Sequence, residues 1–319
     1  MIEMSVLVTG ATGFVGSELV EQLVKKGHEV YVMLRHTSKR DLKPLESVLD
    51  QVRFIEADLT DYHSVRSAVE SSHPQAVMHL GALTPVRLSF TDPFPFMQVN
   101  LLGTMNLVHA IIKYSPETKL IASSTAEVYG WQPETPTRET APFHPSSPYG
   151  VSKAAMDQYL QMAMKVYKLK AVILRCNNTY GRIGESGFIT EYLIKTMLEG
   201  KPVYLGAPDH VRDYMYVDDH VAAYLLALEH SGPDIFNVSP GNPVSNAELA
   251  ERIKKLTCYT GNIVHSYPPG YPQRPAPLDT PYIVLDSSRI RNMLGWKPSV
   301  DLESGLHKTV EAWDVRMRR

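Results

Sequence analysis

Short, almost unbroken apolar runs alternate with amphipathic stretches along the first half of the chain. SVLVTG (5–10), EVYVML (29–34), VRFIEADL (52–59), AVMHLGA (76–82), KLIASST (119–125) and KAVILRC (170–176) read as strands. Between them lie segments of helical length and period: FVGSELVEQLVKKG (14–27), closed by Gly27, PFMQVNLLGTMNLVHAIIKY (95–114) and PYGVSKAAMDQYLQMAMKVYK (148–168). Apolar strands separated by helices predict a parallel sheet covered on both faces. Right-handed crossovers make such a sheet doubly wound, an α/β fold of the Rossmann type.

After Cys176 the pattern loosens. The elements shorten to FITEYLIKTMLEG, PVYLG, RDYMYVDD, HVAAYLLALEH, IFNVSP and NAELAERIKKL, and YPPGYPQRPAPLDTP is a proline-dense loop. We expect residues 1–175 to form a dinucleotide-binding domain, with later returns of the chain near 210–240 and 280–287. Residues 176–319 would form mainly a smaller α/β substrate-binding portion.

Composition narrows the function. The 319 residues are 44% hydrophobic, enough for a packed core. The net charge of -2, from 32 basic and 34 acidic residues, shows no charge run, which argues against nucleic acid or an anionic membrane as partner. Two cysteines, Cys176 and Cys258, supply neither a disulfide framework nor a thiolate metal site. The start, MIEMSVLVTG, lacks signal-peptide character, and no stretch of ~18 apolar residues reads as a membrane span. These features lead us to expect a cytoplasmic protein. No metal site is expected, because His79 and His109 stand in apolar contexts.

Candidate chemistry begins at Gly10, Gly13 and Gly16, which follow the first strand and open the first helix. Glycines here permit a tight turn, close approach of a pyrophosphate and close helix–strand packing, and the helix N-terminus supplies N–H donors. The second strand ends at Leu34-Arg35-His36. No acid stands at 32–38, and Arg35, with Lys39 and Arg40 beyond, suits a ribose 2′-phosphate, so NADP is expected, with NAD possible. Asp58 would accept from an adenine amino group or cap the next turn. Tyr149 and Lys153 lie four apart, on one helical face. A fixed cation beside a phenol favours the phenolate, so the pair is expected to act as the base of an alcohol oxidation.

Taken together, TGATGFVG, Asp58-Leu59, HLGA (79–82), Asn100, SSTAEVYG, YGVSK, RDYMYVDD, Arg274-Pro275 and LGWKP resemble the extended short-chain dehydrogenase/reductases over nearly the whole chain. Members of that family act mostly on nucleotide-linked sugars. The resemblance implies cofactor contacts from Gly10, Gly13, Phe14, Gly16, Arg35, Asp58, Leu59, Leu80, Gly81, Ala82, Asn100, Tyr149 and Lys153. It assigns catalysis to Thr125, Tyr149 and Lys153, with Ser124 the rival of Thr125. Thr-x-Glu-Val-Tyr-Gly resembles the 4,6-dehydratases and UDP-glucuronate decarboxylases. In dehydratases of that kind the carboxylate matching Glu127 removes the proton at carbon 5. Position 126 is Ala, where many sugar dehydratases carry an Asp acid. RETAPFHPSSPYG and RIGESGFITEYLI are similar to GDP-mannose 4,6-dehydratases, whereas CNNTYG is closer to dTDP- and UDP-sugar enzymes.

On the substrate side, Arg212 and Arg274 match family positions that hold a diphosphate, and Asn178 one that contacts phosphate or sugar. Thr84, Ser89 and Thr125 stand where the sugar would sit. Met156, Leu160 and Met164 share one helical face, spaced for the family's four-helix homodimer interface. The leading expectation is oxidation of carbon 4 of a nucleotide hexose, most of all a 4,6-dehydratase of the GDP-mannose type. The alternatives are a UDP-sugar 4-epimerase, an NADPH-dependent 4-keto-sugar reductase and, remotely, a non-catalytic dinucleotide-binding regulator.

Overall fold

A computed structural model describes residues 3–36, 42–184, 187–268 and 280–318. The six expected strands form, as β1 (Ser5–Thr9), β2 (Glu29–Leu34), β3 (Val52–Glu56), β4 (Ala76–His79), β5 (Lys119–Thr125) and β6 (Ala171–Cys176). A seventh, Asp234–Val238, pairs beside β6, and the sheet order from that edge is Asp234–Val238, β6, β5, β4, β1, β2, β3. Every pairing is parallel. Successive side chains of a strand point to opposite faces, and both faces are buried. Val6 and Val8 pack under helices Phe14–Lys25 and Val217–Glu229, through Leu19, Leu23, Val221 and Tyr224. Leu7 and Val77 pack under Tyr62–Ser72, Gly103–Tyr114 and Pro148–Val166, through Val69, Leu107, Ile111 and Leu160. From β1 the chain winds outward to β2 and β3, then crosses back to β4, β5 and β6. This opens a crevice at the carboxyl ends of β1 and β4, where such sheets bind ligands.

The smaller portion has its own core, in which Tyr180, Leu193, Leu249, Ile253, Leu306 and Trp313 cluster. Of the two returns expected, near 210–240 and near 280–287, the second differs. The helix Val217–Glu229 and the strand Asp234–Val238 rejoin the large sheet. Tyr282–Ile283 pairs instead with Val211–Arg212 in a separate three-stranded sheet with Val244–Ser245.

Three further differences have physical causes. The polar segment Tyr62–Ser72 is a helix, started by Asp61, whose carboxylate accepts from the N–H groups of His63 and Ser64. The 95–114 segment is helical but carries a π turn at Met97–Leu102, and this turn holds Asn100 wholly buried. Met156 and Leu160 do not form an outward stripe. They are buried against the sheet, and Met164 packs on the same cluster. An apolar stripe marks the covered side of a helix, and here the chain's own sheet covers it. The apolar side chains left exposed nearby are Leu102, Val151, Val166 and Tyr167. No helix among the described residues is long and apolar enough to cross a membrane.

A buried ion pair ties the Pro148–Val166 helix to the sheet. Arg175 of β6 grips Asp157 with two bonds, Nε to Oδ2 and Nη2 to Oδ1, both 2.9 Å. Both side chains are almost fully buried. Ser124 donates to the same carboxylate at 2.6 Å, and Arg175 Nη1 donates to the Tyr129 hydroxyl at 2.7 Å. Breaking a satisfied buried pair strands the remaining charge. Replacing Arg175 by Met should therefore lower stability by about 3–5 kcal/mol in equilibrium urea unfolding. A loss no larger than the ~1 kcal/mol of an exposed pair would show that the carboxylate finds other partners.

Candidate active site

The glycine loop at the crevice is fixed by backbone contact. Gly10 has φ +72°, and a Cβ there would lie 2.7 Å from the Gly81 nitrogen. A Cβ on Gly16 would lie 2.1 Å from the Gly10 carbonyl oxygen. No larger residue fits either place, so the Phe14–Lys25 helix packs close on β1. Gly13 is its N-cap and carries no capping side chain, which leaves first-turn N–H groups for an anion. Beside it, Thr9 Oγ1 bonds His79 Nδ1 at 2.8 Å and accepts from Gly81 N–H at 3.0 Å. His79 Nε2 meets Thr104 Oγ1 at 2.9 Å. Burial pushes His79 down to about 3, so it serves as a neutral brace between β1 and β4.

A cavity of about 500 Å³ extends from this loop across the carboxyl ends of the strands. Gly10, Gly13, Phe14, Gly16, Arg35, Asp58, Leu59, Leu80, Gly81 and Ala82 line it, and so do Thr84, Thr125, Glu127, Tyr149 and Asn178. Asp58 also closes its own turn, its Oδ1 accepting from Thr60 N–H and Oγ1 at 2.8 and 2.7 Å. His36, next to Arg35, pairs with Glu56 at 3.2 Å.

Four expected site residues are not part of the lining. Asn100 is committed to Leu83 N–H (2.8 Å), Leu83 C=O (3.0 Å) and Ser152 Oγ (2.9 Å), which fixes the loop after β4. Ser89 donates to Val86 C=O at 2.6 Å and accepts from Tyr149 N–H at 3.1 Å, so it holds the tyrosine's backbone. Arg212 donates to the carbonyls of Val211 (2.9 Å), Thr280 (2.8 Å) and Pro281 (3.5 Å), stapling two strands. Lys153 sits behind the lining. Arg274 lies outside the described residues, as do Lys39 and Arg40.

The reacting corner forms where β5 ends and the Pro148–Val166 helix begins. Ser147 caps that helix by accepting from Gly150 N–H at 2.9 Å, and Pro148 takes its first turn. Tyr149 is thereby presented at the cavity that Thr125 also lines, and the Thr125 hydroxyl favours its phenolate. Ser124, the rival of Thr125, spends its hydroxyl on Asp157.

The electrostatics differ from the expectation for the pair. Lys153 Nζ donates to Ser123 C=O at 2.6 Å and lies 3.5 Å from Met156 Sδ. Burial pushes the Tyr149 phenol well above its ordinary value, with Thr125 opposing and Glu127 and Cys176 adding to the rise. Burial lowers Lys153 itself to about 8, against Asp157 and Cys176. Desolvation outweighs the expected ammonium–phenolate attraction, because the ammonium is turned to a backbone carbonyl.

The lining also includes Cys176, Thr179, Arg182, Thr190, Tyr214 and His220, which sequence reasoning did not assign to the site. Thr179 Oγ1 meets His220 Nδ1 at 2.8 Å, and burial pushes that imidazole down to about 3. The signal for Arg182 was its place in RIGESGFITE, immediately after the CNNTYG turn.

A glycine-cradled helix N-terminus at a parallel-sheet switch point, facing a tyrosine–threonine corner, defines a dinucleotide-binding α/β protein. The GDP-mannose 4,6 dehydratase family model matches residues 7–309. A dTDP-glucose 4,6-dehydratase of Salmonella typhimurium is 31% identical, over 97% of this chain and 92% of that protein. The UDP-glucose 4-epimerase of Thermotoga maritima, solved with UDP-glucose, superposes with a TM-score of 0.88 at 33% identity, covering 98% of this chain and 99% of that one. That of Thermus thermophilus, solved with NAD, gives 0.84 at 35% identity, covering 97% and 98%. The chain belongs to the GDP-mannose 4,6 dehydratase family, within the nucleotide-sugar epimerase/dehydratase group of the extended short-chain dehydrogenase/reductases.

The lowered Lys153 sets a pH dependence. The ammonium is present below about 8 and is lost as pH rises through that value. Turnover that requires the cation should fall on an alkaline limb near pH 8, and Lys153→Arg, which stays charged, should remove that limb from the kcat/KM profile. An unchanged limb in the variant would assign the titration to another group.

Proposed function

We propose that the chain is an NAD(P)-dependent enzyme that oxidises carbon 4 of a nucleotide-linked hexose and carries the reaction on to 4,6-dehydration. The reading rests on one observation: Thr125, Glu127 and Tyr149 line the same cavity as the glycine loop. Thr125 orients the carbon-4 hydroxyl, and Tyr149 takes its proton. A bound oxidised nicotinamide supplies the two-electron acceptor and a positive charge that favours the Tyr149 phenolate. Once carbon 4 is a ketone, the carbon-5 proton is acidified, and Glu127, which lines the cavity with Thr125 and Tyr149, is the carboxylate placed to remove it. Tyr149, with its raised pKa, is equally suited to return a proton when the ketone is reduced. NADP is the cofactor this reading favours, through Arg35. The NAD held by the Thermus thermophilus relative supports NAD as the alternative.

A second reading, 4-epimerisation, is favoured by Ala126. This residue is buried and offers a methyl group where elimination of the carbon-6 hydroxyl calls for an acid. Mass spectrometry of products from GDP-, UDP-, dTDP- and CDP-hexoses separates the readings. Loss of water is expected, and unchanged mass with a new retention time would establish epimerisation instead. Glu127→Gln should lower dehydration by about 10²–10⁴-fold, while hydrogen exchange or oxidation at carbon 4 persists.

We also propose a homodimer formed through the outer sides of the Gly103–Tyr114 and Pro148–Val166 helices. Leu102, Val151, Val166 and Tyr167 are exposed there, and His109 and Tyr167 bring the two helices together with ring centroids 6.2 Å apart. Light scattering should give twice the 35.8 kDa chain mass, and Val166→Asp should return it to one chain. A wild-type mass of one chain would rule the dimer out.

A further inference from the structure

The functional reading leaves one cation of the cavity without a duty. Among the described residues, the lysines and arginines lining the cavity are Arg35 and Arg182. Arg212, the expected diphosphate ligand, is occupied by three backbone carbonyls. Arg182 is held differently. Its guanidinium carbon lies 4.7 Å from the centroid of Phe14 and 4.1 Å from that of Phe188. Phe14 is the first residue of the helix whose N-terminus faces the cavity, and Phe188 is the N-cap of the Ile189–Leu198 helix in the smaller portion. The Arg182 carbonyl is anchored by Trp313 Nε1 at 2.9 Å. Two aromatic faces and a tethered backbone fix where the guanidinium points.

Its polar edge is not satisfied. Nη1 is buried with no hydrogen-bond partner among the described residues, and the carboxylate of Glu191 lies nearby. Burial lowers Arg182 and raises Glu191, each opposing the other's shift. A guanidinium withdrawn from water without an acceptor is unfavourable, and an incoming anion relieves it. The chemistry around it selects the anion. The first-turn N–H groups beside Phe14 and a planar guanidinium together suit tetrahedral phosphoryl oxygens.

We propose that Arg182, clamped between Phe14 and Phe188, binds a phosphoryl oxygen of a diphosphate-bearing ligand in this cavity. The proposal rests on the nucleotide-sugar reading above. The diphosphate belongs either to the dinucleotide or to the nucleotide sugar, and binding measurements distinguish the two. Titration calorimetry of the wild type, Arg182→Gln and Arg182→Lys would use NADP and NAD in one arm and GDP, UDP and dTDP in the other. Loss of a charge-assisted bond should raise Kd about 10- to 100-fold in Arg182→Gln, with Arg182→Lys intermediate. The arm that weakens identifies the source. Adenosine and uridine, which lack phosphate, should bind variant and wild type alike, a pattern that general disruption of the cavity would not give. If Arg182→Gln fails to fold, Arg182→Lys carries the comparison. Equal diphosphate affinity in the wild type and the folded variants overturns the proposal. A wild type that binds no ligand of either arm would reject the nucleotide-sugar reading itself, and the proposal with it.

Discussion

The site depends on backbone meeting backbone at the centre of the sheet. Gly16 sits against the Gly10 carbonyl, and Gly10 against the Leu80–Gly81 peptide, at separations no Cβ could enter. The first contact draws the Phe14–Lys25 helix close to β1, and the second draws the loop after β4 onto the glycine turn. Thr9 and His79 then lock the two strand ends side by side. A helix N-terminus, with its first-turn N–H groups, and two strand ends thus converge on one crevice. That crevice is the general ligand position of an open parallel sheet. Its electrostatic character comes from the main chain before any charged side chain contributes.

The tyrosine–threonine corner is placed by a second device, the polar network under the Pro148–Val166 helix. Asp157 of that helix binds Arg175 of β6 and Ser124 of β5 in one buried cluster. Thr125 is the next residue of β5 and faces Cys176, which follows Arg175 on β6. Tyr149 is two helical turns before Asp157. Fixing the ion pair therefore fixes the spacing between the threonine and the tyrosine. Asn100 and Ser89 act from the other side, through Leu83, Ser152 and the Tyr149 backbone. These two residues shape the site without entering the cavity.

How much of this was legible follows from what each signal measures. EVYVML and KLIASST coincide with β2 and β5 because a strand buried on both faces must be continuously apolar. The helix Tyr62–Ser72 buries only Val65, Ala68, Val69 and Ser72 in an otherwise polar stretch, and its best mark was the Asp61 cap. The Met156–Leu160 stripe was read correctly as a packing surface but assigned to the wrong neighbour. Helical spacing says that a face is covered, not what covers it. Arg212 illustrates the same limit for charge: its acceptors at Thr280 and Pro281 lie 68 and 69 residues away, a pairing no local pattern encodes. The cavity residues recognised from motifs were those on strand ends and tight turns. Arg182 enters the cavity through the packing of the smaller portion, and His220 through the helix Val217–Glu229 that returns to the large sheet.

The tyrosine–lysine pair shows why spacing alone does not determine an ionisation state. Four residues of helix bring the two side chains to one face, but the attraction between them competes with other terms. Withdrawal from water acts on both groups in the direction of neutrality, raising the phenol and lowering the amine. The amine then finds a neutral acceptor, Ser123 C=O, rather than the phenolate. In the free corner the phenol is therefore held protonated, and only an added positive charge would draw it towards the phenolate. Under the proposed function, a positive ring bound near Tyr149 would favour the phenolate and a neutral ring would leave the phenol protonated, so the charge of a bound dinucleotide would bear on proton transfer at that side chain.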